Sequence, residues 1–461
     1  MAEFDPAPTS IVSPATAATP ISRERMVLLF AVMLVTAAGN TAMQSVMPSI
    51  GTALGVADVW ISLAYTWSAL LWVICAPMWA RRSDRRGRKS MMAVGLLGFI
   101  ASMALCGWVL WFGLSGLISA GATLIFFAAA RSLYGGFGSA APPAVQAYVA
   151  SRTPRAQRTQ ALALISSSFG LGTVIGPALA PLLILPGRGL VGPFFAFALF
   201  AVAVLITLRL RLPNDAPSYA ARGRVVAAPF SANSNPAMTD DADNDDLVAA
   251  PGQGQADAAE EIPRLRWSDP RLRPWMWAGL LGGHAQAATL GIIGFFILDR
   301  LGLRDDPASG AGPTGLVLMA GAIATLLAQW GLIPMLKLGP RASTMWGVAL
   351  AAVGTVAFAL AHDLHAIALG FAIASLGFGL YRPGFTAGAS LAVSRREQGQ
   401  VGGMVASVNG AAYVVAPAIG VWLYGHHPVI GFAAICSLCA AVYVLGWRKL
   451  TRDDDLIIDR R

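Results

Sequence analysis

The chain has 461 residues, 56% hydrophobic and only 12% charged, with a mean hydropathy of +0.61 and a formal net charge of +9. A soluble globular protein carries about a quarter charged residues, so this composition excludes an ordinary soluble domain and makes lipid part of the solvent. The basic excess does not point to nucleic acid, because the lysines and arginines fall between apolar runs, where they set membrane topology.

Residues 1–25 are polar and lack a basic start, and the first apolar run, 26–48, is too long for a signal-peptide core, so it reads as a retained helix. A helix needs about 20 apolar residues to cross roughly 30 Å of hydrocarbon. Further runs of that length occupy 60–80, 91–112, 123–149, 159–183 and 192–210. After a polar stretch, 211–273, six more follow at 274–298, 313–336, 343–361, 364–392, 400–424 and 428–447. This predicts an all-α integral membrane protein of twelve transmembrane helices. Its parts are an N-terminal tail (1–25), a six-helix bundle (26–210), a linker (211–273), a second six-helix bundle (274–447) and a C-terminal tail (448–461). The linker is rich in Ala, Pro, Gly, Asn and Asp, with an acidic run from Asp240 to Asp246, and reads as disordered. Cys75, Cys106, Cys436 and Cys439 all lie in apolar runs, so no disulfide and no metal site is expected.

Basic residues near span ends stay on the cytoplasmic side. With the N-terminus inside, 28 of the 33 lysines and arginines are cytoplasmic, and only Arg188, Arg300 and Arg304 fall in external loops. Both termini are therefore expected in the cytoplasm. The two bundles also repeat each other. A shift of 240 residues places Gln160 on Gln400, Ser167 on Ser407, Gly170 on Gly410 and Pro177 on Pro417, and Gly-Phe-Gly at 136–138 recurs at 377–379. Parallel repeats of this kind relate two pseudo-symmetric bundles about an axis along the membrane normal, with a substrate site between them.

The short loop after the second run reads Ala80-Arg81-Arg82-Ser83-Asp84-Arg85-Arg86-Gly87-Arg88-Lys89. Glycine permits a tight reversal between helices, and one carboxylate among cations can bridge to a neighbouring helix end. On Asp84, Arg85, Gly87, Arg88 and Lys89 the loop resembles the G-x-L-x-D-R-x-G-R-[KR] signature of the major facilitator superfamily, departing at Ala80 and Arg82. The fifth run carries Gly170, Gly172, Gly176 and Pro177, which resembles the glycine-proline motif of the superfamily's antiporters. Small residues four apart also allow close helix packing in any bundle. The resemblance covers nearly the whole chain outside the tail and linker. It implies alternating access, the loop acting as a cytoplasmic gate, a proton gradient as energy source with no cofactor, and a bacterial inner-membrane monomer surrounded by lipid.

Arg131 lies on the fourth run, where the family often has an arginine implicated in proton coupling, and Arg382 on the tenth. An ionisable group in hydrocarbon marks a functional site by default, with snorkelling or backbone bonding as the structural alternative. No carboxylate falls near mid-membrane, and the first run offers Asn40 and Gln44 where many relatives that expel cations have an acid. A cavity with arginine and no counter-acid favours neutral, zwitterionic or anionic molecules over cations. His284, about eleven residues into the seventh run, is the expected proton carrier, with Asp299 beside Arg300 as the other titrating candidate. Trp67, Gln286, Tyr381, Asn409 and Tyr413 are candidate cavity residues of aromatic and amide character, each taken singly more readily explained as packing. The expected function is export of a small amphipathic molecule in exchange for protons. Uptake or facilitated diffusion of an organic anion is the alternative, followed by a receptor on a transporter fold. With no His-rich cluster, nucleophile elbow or paired carboxylates in the runs, an enzyme is not expected.

Overall fold

In hydrocarbon every backbone N–H and C=O must be satisfied within its own segment, and apolar runs of this length do so as helices. The computed structural model describes residues 21–153, 155–184, 189–213, 265–394 and 397–458. The first half contains α1 (Arg23–Ala53), α2 (Asp58–Arg86), α3 (Arg88–Leu114), α4 (Ala120–Gly136), α5 (Ala141–Arg152), α6 (Arg155–Leu179) and α7 (Gly192–Arg211). The second contains α8 (Arg273–Arg300), α9 (Pro307–Leu327), α10 (Ile333–Leu336), α11 (Pro340–Leu360), α12 (Leu364–Leu391), α13 (Gln398–His426) and α14 (Pro428–Lys449), followed by α15 (Asp453–Ile458). Among the described residues, eleven helical spans are long and apolar enough to cross a membrane. Their outer faces carry exposed apolar side chains such as Ile125, Leu199 and Leu210, which suit contact with lipid. Residues 1–20, and 214–264 of the linker with its acidic run, lie outside the described residues.

The remaining expected span, 123–149, is assembled from two pieces. α4 stops at Gly136, a 3-10 turn covers Gly138–Ala140, and α5 begins with Pro142 and Pro143 in its first turn. Proline has no N–H and its ring collides with the carbonyl four residues back, so one continuous helix cannot pass through the pair, whereas a fresh first turn accepts it. The eighth span has a related defect. α9 widens into a π turn over Ala328–Leu332, and the single turn of α10 then carries Pro334.

The two halves share a device at their first helix ends. Gly55 and Gly302 both take φ of +65°, and the next residue's N–H closes the helix: Val56 donates to the Gly51 carbonyl and Leu303 to the Leu298 carbonyl. This is the Schellman ending, present in both repeats at the same Leu-Gly. The packing repeats as well. α1 lies on α6 and α8 on α13, while between the halves α2 meets α13 and α6 meets α9, the exchange expected of a two-fold.

The opposite end of the second half is tied by its own tail. Asp453 accepts from the N–H of Arg341 at 2.7 Å and of Ala342 at 3.1 Å, capping the α11 N-terminus from a position 112 residues away in sequence. Just before α8, Arg271 bonds Glu397 and Asp269, joining the end of the linker to the turn before α13. Arg271 lowers both carboxyl pKa values by hydrogen bonding to the charged forms.

Candidate functional site

A cavity of about 200 Å³ lies between the halves, lined from α1, α2, α6, α8, α9, α12 and α13. Of the residues that the sequence suggested for a substrate or proton pathway, Asn40, Gln44, Gln286, Arg382 and Tyr413 line it, and so does Pro177 of the glycine-proline motif. Sequence reasoning missed Tyr65, Thr41 and Thr173, and above all Gln329, which belongs to the π turn of α9. The proline at 334 was the available signal for that irregularity. No carboxylate lines this cavity among the described residues.

The two intramembrane arginines have different surroundings. Arg131 on α4 is fully buried and does not line the cavity. Its Nη2 donates to Asn40 Oδ1 at 3.1 Å, and its guanidinium carbon lies 4.8 Å from the Tyr134 ring centre and 5.4 Å from that of Tyr65. Asn40 itself lines the cavity, so Arg131 supports the wall from behind. Arg382 on α12 lines the cavity directly, with Nη1 at 3.4 Å from the Tyr413 hydroxyl.

Other sequence candidates sit elsewhere. His284 is half-buried on α8, with Nδ1 2.7 Å from the Leu280 carbonyl, and is not among the cavity residues. Tyr381 is fully buried and donates to the Ala278 and Gly279 carbonyls, which makes it a tie between α12 and α8. Trp67 is partly exposed and donates to Ser132 Oγ at 2.7 Å, and Asn409 is buried on α13 without reaching the cavity wall.

At the end that carries the Gly55 and Gly302 turns, charged side chains join the two halves. Arg304 grips Asp58 with both Nη atoms, at 2.8 and 2.6 Å, and donates from Nε to Asp299 Oδ1 at 2.7 Å. Its Nη1 also reaches Thr52 Oγ1 at 3.0 Å, and the Tyr424 hydroxyl donates to Asp299 Oδ2 at 2.7 Å. Thr52 and Asp58 belong to the first half, and Asp299, Arg304 and Tyr424 to the second. The pair suggested by sequence, Asp299 with Arg300, is replaced here: Arg300 turns to the Ala359 carbonyl and lies beside His362. These bonds, Asp58 above all, hold the Arg304 guanidinium in its charged form far above its ordinary pKa.

A family model described as Major Facilitator Superfamily matches residues 29–337. The chain belongs to that superfamily. Members of that superfamily are multi-pass membrane transporters of small molecules rather than enzymes. It is 30% identical over 178 residues to a probable actinorhodin transporter of Streptomyces coelicolor, covering 38% of this chain and 28% of that one. It is 31% identical over 174 residues to multidrug resistance protein 1 of Bacillus subtilis, covering 37% and 41%. To the class C tetracycline resistance protein of Escherichia coli it is 34% identical over 147 residues, 31% of each. The matched segments thus span well under half of these relatives. Among solved structures, a bacterial homologue of the human lysosomal transporter Spinster superposes with a TM-score of 0.66 at 13% identity, over 92% of this chain and 97% of the other. The xylose transporter of E. coli gives 0.64 at 13%, over 93% and 96%.

The superfamily loop is described in part. Gly87 has φ of +88° and ψ of 142°, a conformation other residues rarely adopt, and it turns α2 into α3. Arg88 is buried and bonds Ser151 on α5, while Lys89 Nζ reaches the Arg209 carbonyl at 3.0 Å on α7. These bonds fasten the first half to itself. The side chains of Asp84 and Arg85 lie outside the described part. Gly172 and Gly176 of the superfamily's antiporter-type motif face α1. A Cβ on Gly172 would come 2.6 Å from that of Ala37, one on Gly176 would run into the Ala38 carbonyl, and Thr41 donates to the Gly172 carbonyl at 3.2 Å. Gly315 of α9 packs the same way onto the Pro177 carbonyl, so the motif reaches across to the other half.

Proposed function

We propose that this transporter exports a small amphipathic molecule, neutral, zwitterionic or anionic, in exchange for protons and by alternating access. The observation that carries this reading is the cavity between the halves, whose wall mixes aromatic and amide side chains with one arginine and no carboxylate among the described residues. A cation in that space meets an unbalanced positive charge at low dielectric, which disfavours it. The names of the multidrug and antibiotic-resistance relatives support export as the direction.

In the orientation given by the basic loops, the Arg304 cluster is the periplasmic latch. Asp58 and Asp299 then face the proton-rich side of an energised membrane. Protonating either removes an anionic partner of Arg304 and loosens that end, so inward proton movement can drive outward opening. His284, on the helix between latch and cytoplasm, is the alternative proton group. We place the protein in the bacterial inner membrane as a monomer with both termini cytoplasmic.

The test is proton flux in proteoliposomes driven by a panel of anionic, neutral and cationic amphiphiles. Flux with anions or neutral compounds is expected. Flux with cations alone sinks the charge argument. Accumulation only in right-side-out vesicles reverses the direction in favour of uptake.

A further inference from the structure

Arg382 holds recognition capacity that the protein does not use. It is 6% exposed and lines the cavity, and its Nη1 contact to the Tyr413 hydroxyl, at 3.4 Å, is long for an N–H···O bond. Nε and Nη2 have no hydrogen-bond partner among the described residues. These two N–H groups share one edge of the guanidinium, the edge that takes a carboxylate in a two-pronged pair. Burying such donors without an acceptor is costly, and the cavity wall offers no carboxylate to relieve it.

Arg131 does not compete for this role. Asn40 Oδ1 already occupies its Nη2, which breaks the equivalent edge, its guanidinium packs beside Tyr134 and Tyr65, and it does not line the cavity. The same cavity wall carries Phe378, one helical turn from Arg382 on α12, and elsewhere Phe169, Phe295 and Phe371, faces that suit a flat apolar body.

We propose that Arg382 seats a carboxylate of the substrate and that this transporter takes amphipathic aromatic monocarboxylates. The inference rests on the export reading above and sharpens it to one residue and one functional group. In the conformation described, Nε and Nη2 are shut off from solvent. A carboxylate reaches them when the guanidinium turns toward the cavity, which gives up only the long Tyr413 hydrogen bond and the flanking contact with its ring at 5.6 Å. Tyr413, which also lines the cavity, keeps its hydroxyl at the ligand's edge.

The experiment uses the full-length protein in lipid nanodiscs and a matched pair of probes, 2-naphthoate and its methyl ester, with affinities measured by calorimetric titration. The wild type is expected to bind the acid at least about tenfold more tightly than the ester, as a charge-assisted two-pronged pair implies. Arg382→Gln should erase that gap by weakening the acid while leaving the ester unchanged, and Arg382→Lys should keep part of it. Arg131→Lys should leave the gap intact. Size-exclusion profiles of the variants check that each is folded, and the lysine variant serves if the glutamine one is not. Equal binding of acid and ester by the wild type, no binding of either, or a gap that survives in Arg382→Gln overturns the proposal. Vesicle flux separates it from the export reading. Export of the ester with no preference for the acid leaves the exporter standing without the seat, whereas an acid preference in binding with no movement of either probe leaves the seat and removes the exporter.

Discussion

At the latched end of the bundle every nitrogen of Arg304 is answered by a carboxylate or hydroxyl, whereas on the cavity wall Arg382 has one long contact to Tyr413 and two donors with no partner among the described residues. The latch lies near water: the Arg304 side chain is 32% exposed and that of Asp299 40%. Exposed ion pairs are worth about 1 kcal/mol or less each, so such a cluster opens and closes without a large barrier. The Nε and Nη2 groups of Arg382, by contrast, have almost no accessible surface. In the proposed reading the contrast separates two uses of one residue type: a gate closes its bonds within the protein, and a site leaves them for something that arrives.

Removing Arg304 is the largest way to break this contrast. Arg304→Ala leaves Asp58 and Asp299 facing each other without a cation, and the balance between closed and open forms of that end should shift by about tenfold or more. Spin labels on the Gly55 and Gly302 turns should report longer distances, with substrate export falling in parallel. An unchanged distance distribution would mean that the latch does not hold the halves. Asp58→Asn is milder because Asp299 still pairs with Arg304. A double-mutant cycle between 58 and 304 should return about 1 kcal/mol of coupling in thermal unfolding, and a value near zero would reduce the pair to a bystander. His284→Ala comes next: if the latch acids carry the proton, this variant keeps most of its substrate-driven proton flux while Asp299→Asn loses it. The reverse result returns the coupling role to histidine.

The smallest effect concerns the other end. Arg271 holds the Glu397 carboxyl below its ordinary value of 4.5. A carboxylate whose folded pKa is lowered stabilises the fold above its unfolded pKa, and that stabilisation fades as pH falls through the lowered value. Thermal stability should therefore drop by a few tenths of a kcal/mol as pH falls below about 4.5, discounted for the exposed side chains. The slope should flatten in Arg271→Ala.

Most of the fold was legible because hydrocarbon leaves so few alternatives. Runs of apolar residues mapped onto helices with small errors at their ends, and Asp363 and Glu397, which sit just before α12 and α13, cap α12 and pair with Arg271. What escaped was irregularity. The break before Pro142 and the π turn before Pro334 follow from proline, yet hydropathy averages over both. The site was only half legible for a different reason. Residue type showed that Arg382, Gln286 and Tyr413 could belong to a cavity, but which way a helical side chain points depends on its rotation against neighbours, and that sent Tyr381 into the α8 interface. The latch was hidden by distance. Asp58 and Arg304 are 246 positions apart, and only the matching Leu-Gly endings of α1 and α8 hinted that the residues after them would meet.

The carboxylate that caps α11 belongs to Asp453, so the start of that helix waits on residues synthesised long after it. While the ribosome is still translating the later spans, two N–H groups at the α11 start must be served by water or lipid headgroups, and the α11 end settles only when the tail folds back. Reporter fusions or stop codons placed ahead of 453 would release a protein whose spans are all inserted but whose rim at the α11 start is unfinished, at a cost of about 1 kcal/mol.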